Sequence, residues 1–169
     1  MNRLSTTLLV LLTLLVPSLH SDRSVANAAP ASASDAATLI EQSGIKGGLV
    51  VHVGLGDAKL TASLRPNSRY QVHGIDRDIA KVEATRSALQ KMGVYGDVSV
   101  GLLTGERLPY IENLVNLIVV QDRSGIFDAE ILRALTPNGV AFVRDGESWQ
   151  KIVKPKPGNI DDWSHFLHS

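Results

Sequence analysis

Cysteine is absent from all 169 residues of this chain. Its absence excludes disulfides, thiolate metal sites, a cysteine nucleophile and the anchor of a bacterial lipoprotein. An excess of charge of one sign is also missing, since 17 basic residues balance 17 acidic ones. Without a basic stripe or an acidic tail, the composition gives no reason to expect a nucleic-acid partner. What is present is a 44% share of hydrophobic residues, enough for the core of one domain.

The N-terminal segment has the pattern of an export signal. Arg3 precedes a continuous apolar run at 8–16, which is shorter than the roughly 20 residues that a membrane-spanning helix needs. A small-x-small pattern at 26–28 then offers a cleavage site. We therefore interpret residues 1–28 as a secretory signal peptide and 29–34 as a linker, with an uncleaved membrane anchor as the alternative. We expect the domain to be exported to the periplasm or the medium, with no membrane attachment after cleavage.

Beyond the leader, short apolar runs rich in β-branched residues alternate with segments of helical periodicity. The predicted elements are a helix at 35–43 capped by Asp35, strand 48–53, helix 57–64, strand 70–75, helix 79–92, strand 98–103, strand 114–120, helix 126–135, strand 139–144 and strand 149–153. Strands that alternate with helices imply right-handed crossovers and a parallel sheet. Asp145-Gly146 is a hairpin signal, so the last strand is expected to be antiparallel. The prediction is an α/β fold: a doubly wound, mostly parallel Rossmann-like sheet of five or six strands over 35–153, followed by a linker and tail at 154–169.

A glycine-rich loop follows the first predicted strand. Gly54 and Gly56 lie where this strand turns into a helix, and glycine there permits unusual backbone angles and the close approach of a ligand. Asp76 lies 20 residues beyond Gly56, at the tip of the second strand. A carboxylate in that place can accept hydrogen bonds from the ribose hydroxyls of an adenosine. The pattern predicts a site for an adenosine-type ligand, with an ordinary tight turn and a solvated Asp76 as the alternative.

Four segments resemble the successive motifs of the class I methyltransferases that depend on S-adenosylmethionine (SAM). They are VVHVGLGDAKLTASL (50–64), VHGID (72–76), RLPYIENLVNLIVV (107–120) and EILRALTPNGVAFV (130–143). The last is similar to the family's signature of a helix, Leu-x-Pro-Gly-Gly and a strand. The resemblance covers about residues 45–145 and implies a methyltransferase-type sheet with SAM as the cofactor. The cofactor-binding residues that it implies are Val53, Gly54, Leu55, Gly56, Asp57, Asp76, Arg77, Thr104 and Asp122.

The sequence departs from the family pattern at four positions. His52 stands where the family has an acid near the end of strand one, and Ala58 takes the third glycine position of the loop. Thr104 and Asn116 stand in the places of two further acids. The ammonium group of SAM would therefore lose carboxylate partners, with Asp57 as a partial replacement. Each charge-assisted hydrogen bond that is lost costs about 1.5–3 kcal/mol.

A narrower resemblance concerns the leader, the segment around the first predicted strand, and the tail. The leader, the GGLVVHVGLGDAKLTASL segment and the tail (KPKP, then DDW and HFLH) are similar to the front module of exported bacterial proteins with a pyrroloquinoline-quinone-type (PQQ) β-propeller. This implies a β-propeller or another envelope protein as the partner. The chain stops at Ser169, so we expect a stand-alone relative or a truncated gene product. His165 and His168, with Asp161 and Asp162, have a spacing that metal ligands use, but we expect a docking or unstructured tail and no metal.

Three functions are compatible with these patterns. The first is a SAM-binding methyltransferase-like domain whose acceptor and catalytic residues are unknown, with Asp122 as a candidate substrate-facing residue or a solvated loop residue. The second is a non-catalytic descendant that serves as an exported binding module, because SAM is made in the cytoplasm and several acids are lost. The third is an NAD-type Rossmann domain, although Ala58-Lys59 does not complete the GxGxxG pattern. His52 and His73 lie inside predicted strands and are expected to be buried and neutral.

Overall fold

The computed structural model of the chain describes residues 33–123 and 125–158. The predicted signal peptide, most of the linker and the tail beyond residue 158, with its two histidines, lie outside the described residues. Among the residues that are described, no helix is both long enough and apolar enough to cross a membrane.

Helices and strands alternate along the described chain largely as predicted. The elements are α1 (Ala33–Ser43), β1 (Gly48–Val53), α2 (Ala58–Ser63), β2 (Tyr70–Asp76), α3 (Ile79–Lys91), β3 (Val98–Leu102), β4 (Val115–Val120), α4 (Asp128–Ala134), β5 (Leu135–Asp145) and β6 (Ser148–Val153). Asp57 and Asp78 cap α2 and α3, and each side chain accepts a hydrogen bond from a backbone N–H of the first turn.

The six strands form one sheet in the order β3-β2-β1-β4-β5-β6. The first five strands run parallel, and β6 pairs antiparallel with β5 through the turn at Asp145 and Gly146. Gly146 has a φ of +58°, which suits glycine in a tight hairpin. The predicted Rossmann-like, mostly parallel sheet is therefore confirmed. The strand order changes direction between β1 and β4, which makes their carboxyl ends the expected place for a ligand.

Both faces of the sheet are covered, as a parallel sheet requires. Along β1, Val50 packs in a cluster with α1, α2 and α3, whereas Val51 packs on the opposite side with α4 and the irregular segment 103–110. This alternation follows from the two-residue period of a strand. The central strands β1 and β4 each have four consecutive buried residues at their carboxyl ends, so the loops that follow them are held on a rigid base.

Most boundaries lie within two residues of the sequence prediction, and two of the differences affect how individual residues are interpreted. Helix α1 begins at Ala33, so Asp35 lies in its first turn instead of capping it. Strand β5 begins at Leu135, directly after α4, where a strand was expected only from residue 139. The register of β4 against β5 shifts just after Val115. A bulge of this kind accommodates Pro137, which has no N–H to donate to the ladder.

Candidate functional site

A cleft of about 530 Å³ lies at the carboxyl edge of the sheet, beside the point where the strand order changes direction. Because β1, β2, β4 and β5 are parallel, the loops that follow them meet at this edge. The residues that line the cleft are Gly54, Leu55, Gly56, Lys81, Gln121, Asp122, Arg123 and Arg144.

The glycines of the first loop allow it to approach the residues that follow β4. Gly54 has a φ of +85°, and a β-carbon there would lie 2.6 Å from the backbone nitrogen of Asp122. A β-carbon on Gly56 would lie 3.2 Å from Nε2 of Gln121. The backbone N–H of Gly54 donates to the carbonyl of Ile75 in β2. The loop is therefore packed between its two neighbouring strands, and only glycine fits at position 54.

Asp76 joins the end of β2 to this loop. Its Oδ2 accepts a hydrogen bond from the backbone N–H of Leu55 at 2.7 Å, and its Oδ1 accepts one from the N–H of Asp78 at 2.8 Å. The Nζ of Lys81 lies 3.8 Å from Oδ2, and the Asp76 side chain is only 4% exposed. The carboxylate thus lies beneath the cleft, where two backbone donors and a nearby cation stabilise its charge.

His52 stands under the same loop, in the place where the family resemblance implies an acid. Its ring is fully buried, with Nδ1 2.9 Å from Oγ1 of Thr61 and Nε2 3.3 Å from Oε1 of Gln121. Burial lowers the pKa of His52 to about 4, although the contact with Gln121 and the charge of Asp76 act in the opposite direction. The ring is neutral at physiological pH, as expected, and so supplies no carboxylate charge to a ligand.

The predicted cofactor-binding residues other than Asp76 lie partly in the cleft and partly outside it. Four of them line the cleft: Gly54, Leu55, Gly56 and Asp122. Val53 is buried beneath the loop. Asp57 is half-buried at the start of α2, where its carboxylate accepts a hydrogen bond from the N–H of Lys59. Arg77 and Thr104 are exposed and are not among the residues that line the cleft.

Sequence reasoning missed four polar residues of the cleft: Lys81, Gln121, Arg123 and Arg144. Gln121 and Arg123 lie in the loop that follows β4, and Arg144 lies near the end of β5. Polar residues at the carboxyl ends of parallel strands are the signal that would have found these three. Lys81 lies in the first turn of α3, and no local pattern distinguishes it from other surface lysines.

A second histidine, His73 of β2, contributes to a separate contact. Its Nδ1 lies 2.8 Å from the hydroxyl of Tyr110, and the two rings meet edge to face. Burial lowers the pKa of His73 and raises that of Tyr110. Neither residue lines the cleft. In the part of the chain that the structure describes, no group of three histidine, aspartate or glutamate side chains is placed to hold a metal ion.

Solved structures share this arrangement of sheet and helices. A proposed S-adenosyl-L-methionine-dependent methyltransferase from Methanococcus maripaludis superposes with a TM-score of 0.60 at 20% identity, over 69% of this chain and 56% of that one. The geranyl diphosphate C-methyltransferase from Streptomyces coelicolor A3(2), in complex with Mg²⁺, geranyl diphosphate and S-adenosyl-L-homocysteine, gives 0.57 at 15% identity, over 65% and 44%. The fold is that of the SAM-dependent methyltransferases.

The same fold also occurs with another chemistry. The (4+2)-cyclase SpnF superposes with a TM-score of 0.58 at 21% identity, over 68% of this chain and 46% of that one. The chain spans about half the length of these three proteins. No protein-family model and no curated protein matches the sequence. At such identities the likeness establishes the methyltransferase-like fold, and function has to be argued from the site.

Proposed function

We propose that this chain is a methyltransferase-like domain that binds an adenosyl ligand, SAM or its product S-adenosylhomocysteine, in the cleft at the end of β1. The observation that carries the proposal is the hydrogen bond of 2.7 Å between the Leu55 N–H and Oδ2 of Asp76. It brings together the two chain segments that the sequence predicts to hold a ribose. A site of this kind on the methyltransferase fold is best explained by an adenosyl group.

The described residues suggest how the ribose would be held. Each oxygen of Asp76 accepts one backbone hydrogen bond, and a carboxylate oxygen has a second lone pair available for a hydroxyl donor. Because the side chain is buried, the first loop has to open slightly before a ribose reaches it. Gly56, in the same loop, is exposed and lines the cleft. Asp122 is exposed at the opposite wall of the cleft and is the residue that we propose to face a methyl acceptor.

Isothermal calorimetry of the purified protein with SAM, S-adenosylhomocysteine and NAD tests this proposal. We expect micromolar binding of SAM or S-adenosylhomocysteine and at least a tenfold loss of affinity in Asp76→Asn. The matched control is Asp97→Asn. Asp97 is exposed, pairs with Arg65 and is not among the residues that line the cleft. Folded protein that binds neither adenosyl ligand would overturn the proposal, and binding of NAD alone would favour the nicotinamide-type Rossmann domain.

A second candidate is a non-catalytic, exported binding module. Two observations favour it: the ring of His52 is neutral where an acid was expected, and the Asp76 carboxylate is bonded within the protein. Fractionation of cells that express the chain with its leader tests the export part of this candidate. Recovery of shortened protein outside the cytoplasm would support it. Full-length protein in the cytoplasm would instead place the chain where SAM is made and favour the SAM-binding candidate. A β-propeller or another envelope protein remains the proposed partner of such a module.

A further inference from the structure

Hydrogen-bond donors and cations dominate the polar lining of the cleft. We propose that the cleft takes an adenosine phosphate in preference to SAM, with the phosphate held by Lys81, Arg123 and Gln121. This inference rests on the adenosyl-binding site proposed above and specifies the charge of the group attached to the adenosine.

The charges that face the cleft are unequal in number. Lys81 comes from α3, Arg123 from the loop after β4, and Arg144 from β5, whereas Asp122 is the one carboxylate among the residues that line it. Three cations from three separate elements converge on one cleft, so the arrangement is more specific than a basic run on one surface helix. Convergent cations raise the local concentration of anionic ligands.

The ion pairs around these cations are weak enough for a ligand to displace. Arg123 pairs with Asp128 at 2.6 Å, but both side chains are about half exposed to solvent. Lys81 Nζ lies 3.8 Å from the nearest oxygen of Asp76, beyond hydrogen-bond distance. An exposed pair such as Arg123 with Asp128 contributes only about 0–1 kcal/mol. A phosphate offers each cation a stronger, charge-assisted partner.

Arg144 is held in place beside the cleft by its own strand and hairpin. Its Nε donates to the carbonyl of Gly146 at 2.8 Å, and its guanidinium lies 5.1 Å from the centre of the Trp149 ring. A carboxylate oxygen of Asp35 is 4.0 Å from it. These contacts fix the guanidinium beside the cleft, and the Asp35 carboxylate offsets part of its charge.

The amide of Gln121 adds an uncharged donor to the floor of the cleft. Nε2 of His52 lies 3.3 Å from Oε1 of Gln121, and Nδ1 of the same ring lies 2.9 Å from the Thr61 hydroxyl. In the tautomer with the proton on Nε2, the ring donates to Oε1 of Gln121. The Nε2 end of the amide then faces Gly56, 3.2 Å from the place of a β-carbon. The low pKa of His52, about 4, keeps the ring neutral. The floor thus offers an N–H group from which a phosphate oxygen can accept a hydrogen bond.

SAM and an adenosine phosphate differ in the charge of the group that is attached to the adenosine. SAM carries a sulfonium and an ammonium group against a single carboxylate, whereas a phosphate monoester carries between one and two negative charges at neutral pH. A cleft with this lining favours the second arrangement over the first. We therefore expect adenosine monophosphate to bind at least tenfold more tightly than adenosine and than SAM.

Calorimetric titration of the purified full chain with adenosine, adenosine monophosphate, SAM and inorganic phosphate tests this preference, at low and at high salt. Lys81→Gln and Arg123→Gln are each expected to reduce the phosphate advantage several-fold, and 0.5 M salt is expected to reduce it as well. Lys91→Gln is the matched control, because it removes an exposed lysine from the opposite end of the same helix. Thermal melts of each variant verify that it is folded.

The outcomes distinguish this inference from the proposal on which it rests. Equal affinity for adenosine and its monophosphate, or tighter binding of SAM, would overturn the phosphate preference and leave the adenosyl site standing. Inorganic phosphate that binds as tightly as the nucleotide would show an anion site without nucleoside recognition, and would also overturn it. Failure of every adenosine-containing ligand to bind the folded chain would overturn both.

Discussion

The backbone of Gly54 lies so close to Asp122 that a β-carbon at position 54 would sit 2.6 Å from the Asp122 nitrogen. Gly54→Ala forces these two loops apart and places alanine at a φ of +85°. We expect the free energy of unfolding to fall by about 3 kcal/mol, measured by urea denaturation. Gly93→Ala is the control: its φ is +71°, but nothing lies within 4 Å of its β-carbon, so about 1 kcal/mol is expected. Equal losses in the two variants would contradict the close contact.

The buried ring of His52 makes stability depend on pH. Its pKa in the folded chain is about 4, against 6.5 in the unfolded chain, so only the unfolded state takes up this proton in between. The stability that it contributes is fully present above pH 6.5 and is lost as the pH falls towards 4, by on the order of 3 kcal/mol. Urea denaturation at a series of pH values measures this slope.

The variant His52→Gln should flatten that part of the pH profile, because glutamine keeps a polar group in the core and takes up no proton. His73→Gln should retain most of the slope, since His73 is only half-buried. An unchanged profile in His52→Gln would assign the acid sensitivity to other groups.

Arg133 of α4 holds the irregular segment that follows β3. Its guanidinium donates to the carbonyl of Tyr110 at 2.9 Å and to Oε1 of Glu130 at 2.6 Å, and the same carboxylate oxygen accepts the Leu108 N–H. The hydrogen bond from Arg133 is the main reason that the pKa of Glu130 is lowered. We expect Arg133→Met to reduce the free energy of unfolding by about 2 kcal/mol, with faster hydrogen exchange at the Leu108 amide.

Arg133→Lys should restore little of this loss, because an ammonium cannot reproduce the planar fork that bonds several acceptors at once. The pair of Arg123 and Asp128 provides the control, since both side chains are exposed. Arg123→Gln is expected to change the free energy of unfolding by less than about 0.5 kcal/mol. A full rescue by lysine would contradict a role for the guanidinium geometry.

Gly74 links the packing of β2 to the cleft. A β-carbon there would lie 2.7 Å from Cδ2 of Leu55 and 3.1 Å from Cγ1 of Val100. Gly74→Ala should therefore cost about 1–2 kcal/mol of stability and shift Leu55, whose N–H bonds to Asp76. We expect weaker binding of adenosine by calorimetry even where the variant remains folded. Unchanged affinity together with lower stability would show that packing at Gly74 does not affect binding in the cleft.

Most of the fold could be predicted because its signals are local. The run GLVVHV between glycines specified β1 to the residue, and Asp145-Gly146 predicted the antiparallel β6. The early start of β5 at Leu135 was missed, because Pro137 argues locally against a strand. Its place next to a register shift depends on pairing with β4, which no local pattern contains.

The site was harder to predict than the fold. The loop at Gly54 and the acid Asp76 were recognisable by spacing, but whether the carboxylate faces solvent or the backbone of Leu55 depends on the packing of the whole edge. The contact of His52 with Gln121 spans 69 positions of the chain. Such long-range side-chain pairs leave no periodicity or spacing signal, so the uncharged floor of the cleft appears only in three dimensions.

The two faces of the sheet differ in how they are covered, and this difference determines where the molecule opens first. Three helices pack on one side, whereas the seven residues of α4 and the irregular stretch 103–110 cover the other. Irregular backbone has fewer mutually supporting hydrogen bonds than a helix, so its local opening requires less free energy than global unfolding. Within the described residues, transient exposure of apolar side chains is therefore concentrated on the α4 side, away from the three-helix layer, and limited proteolysis of this part of the chain is expected to cut there first.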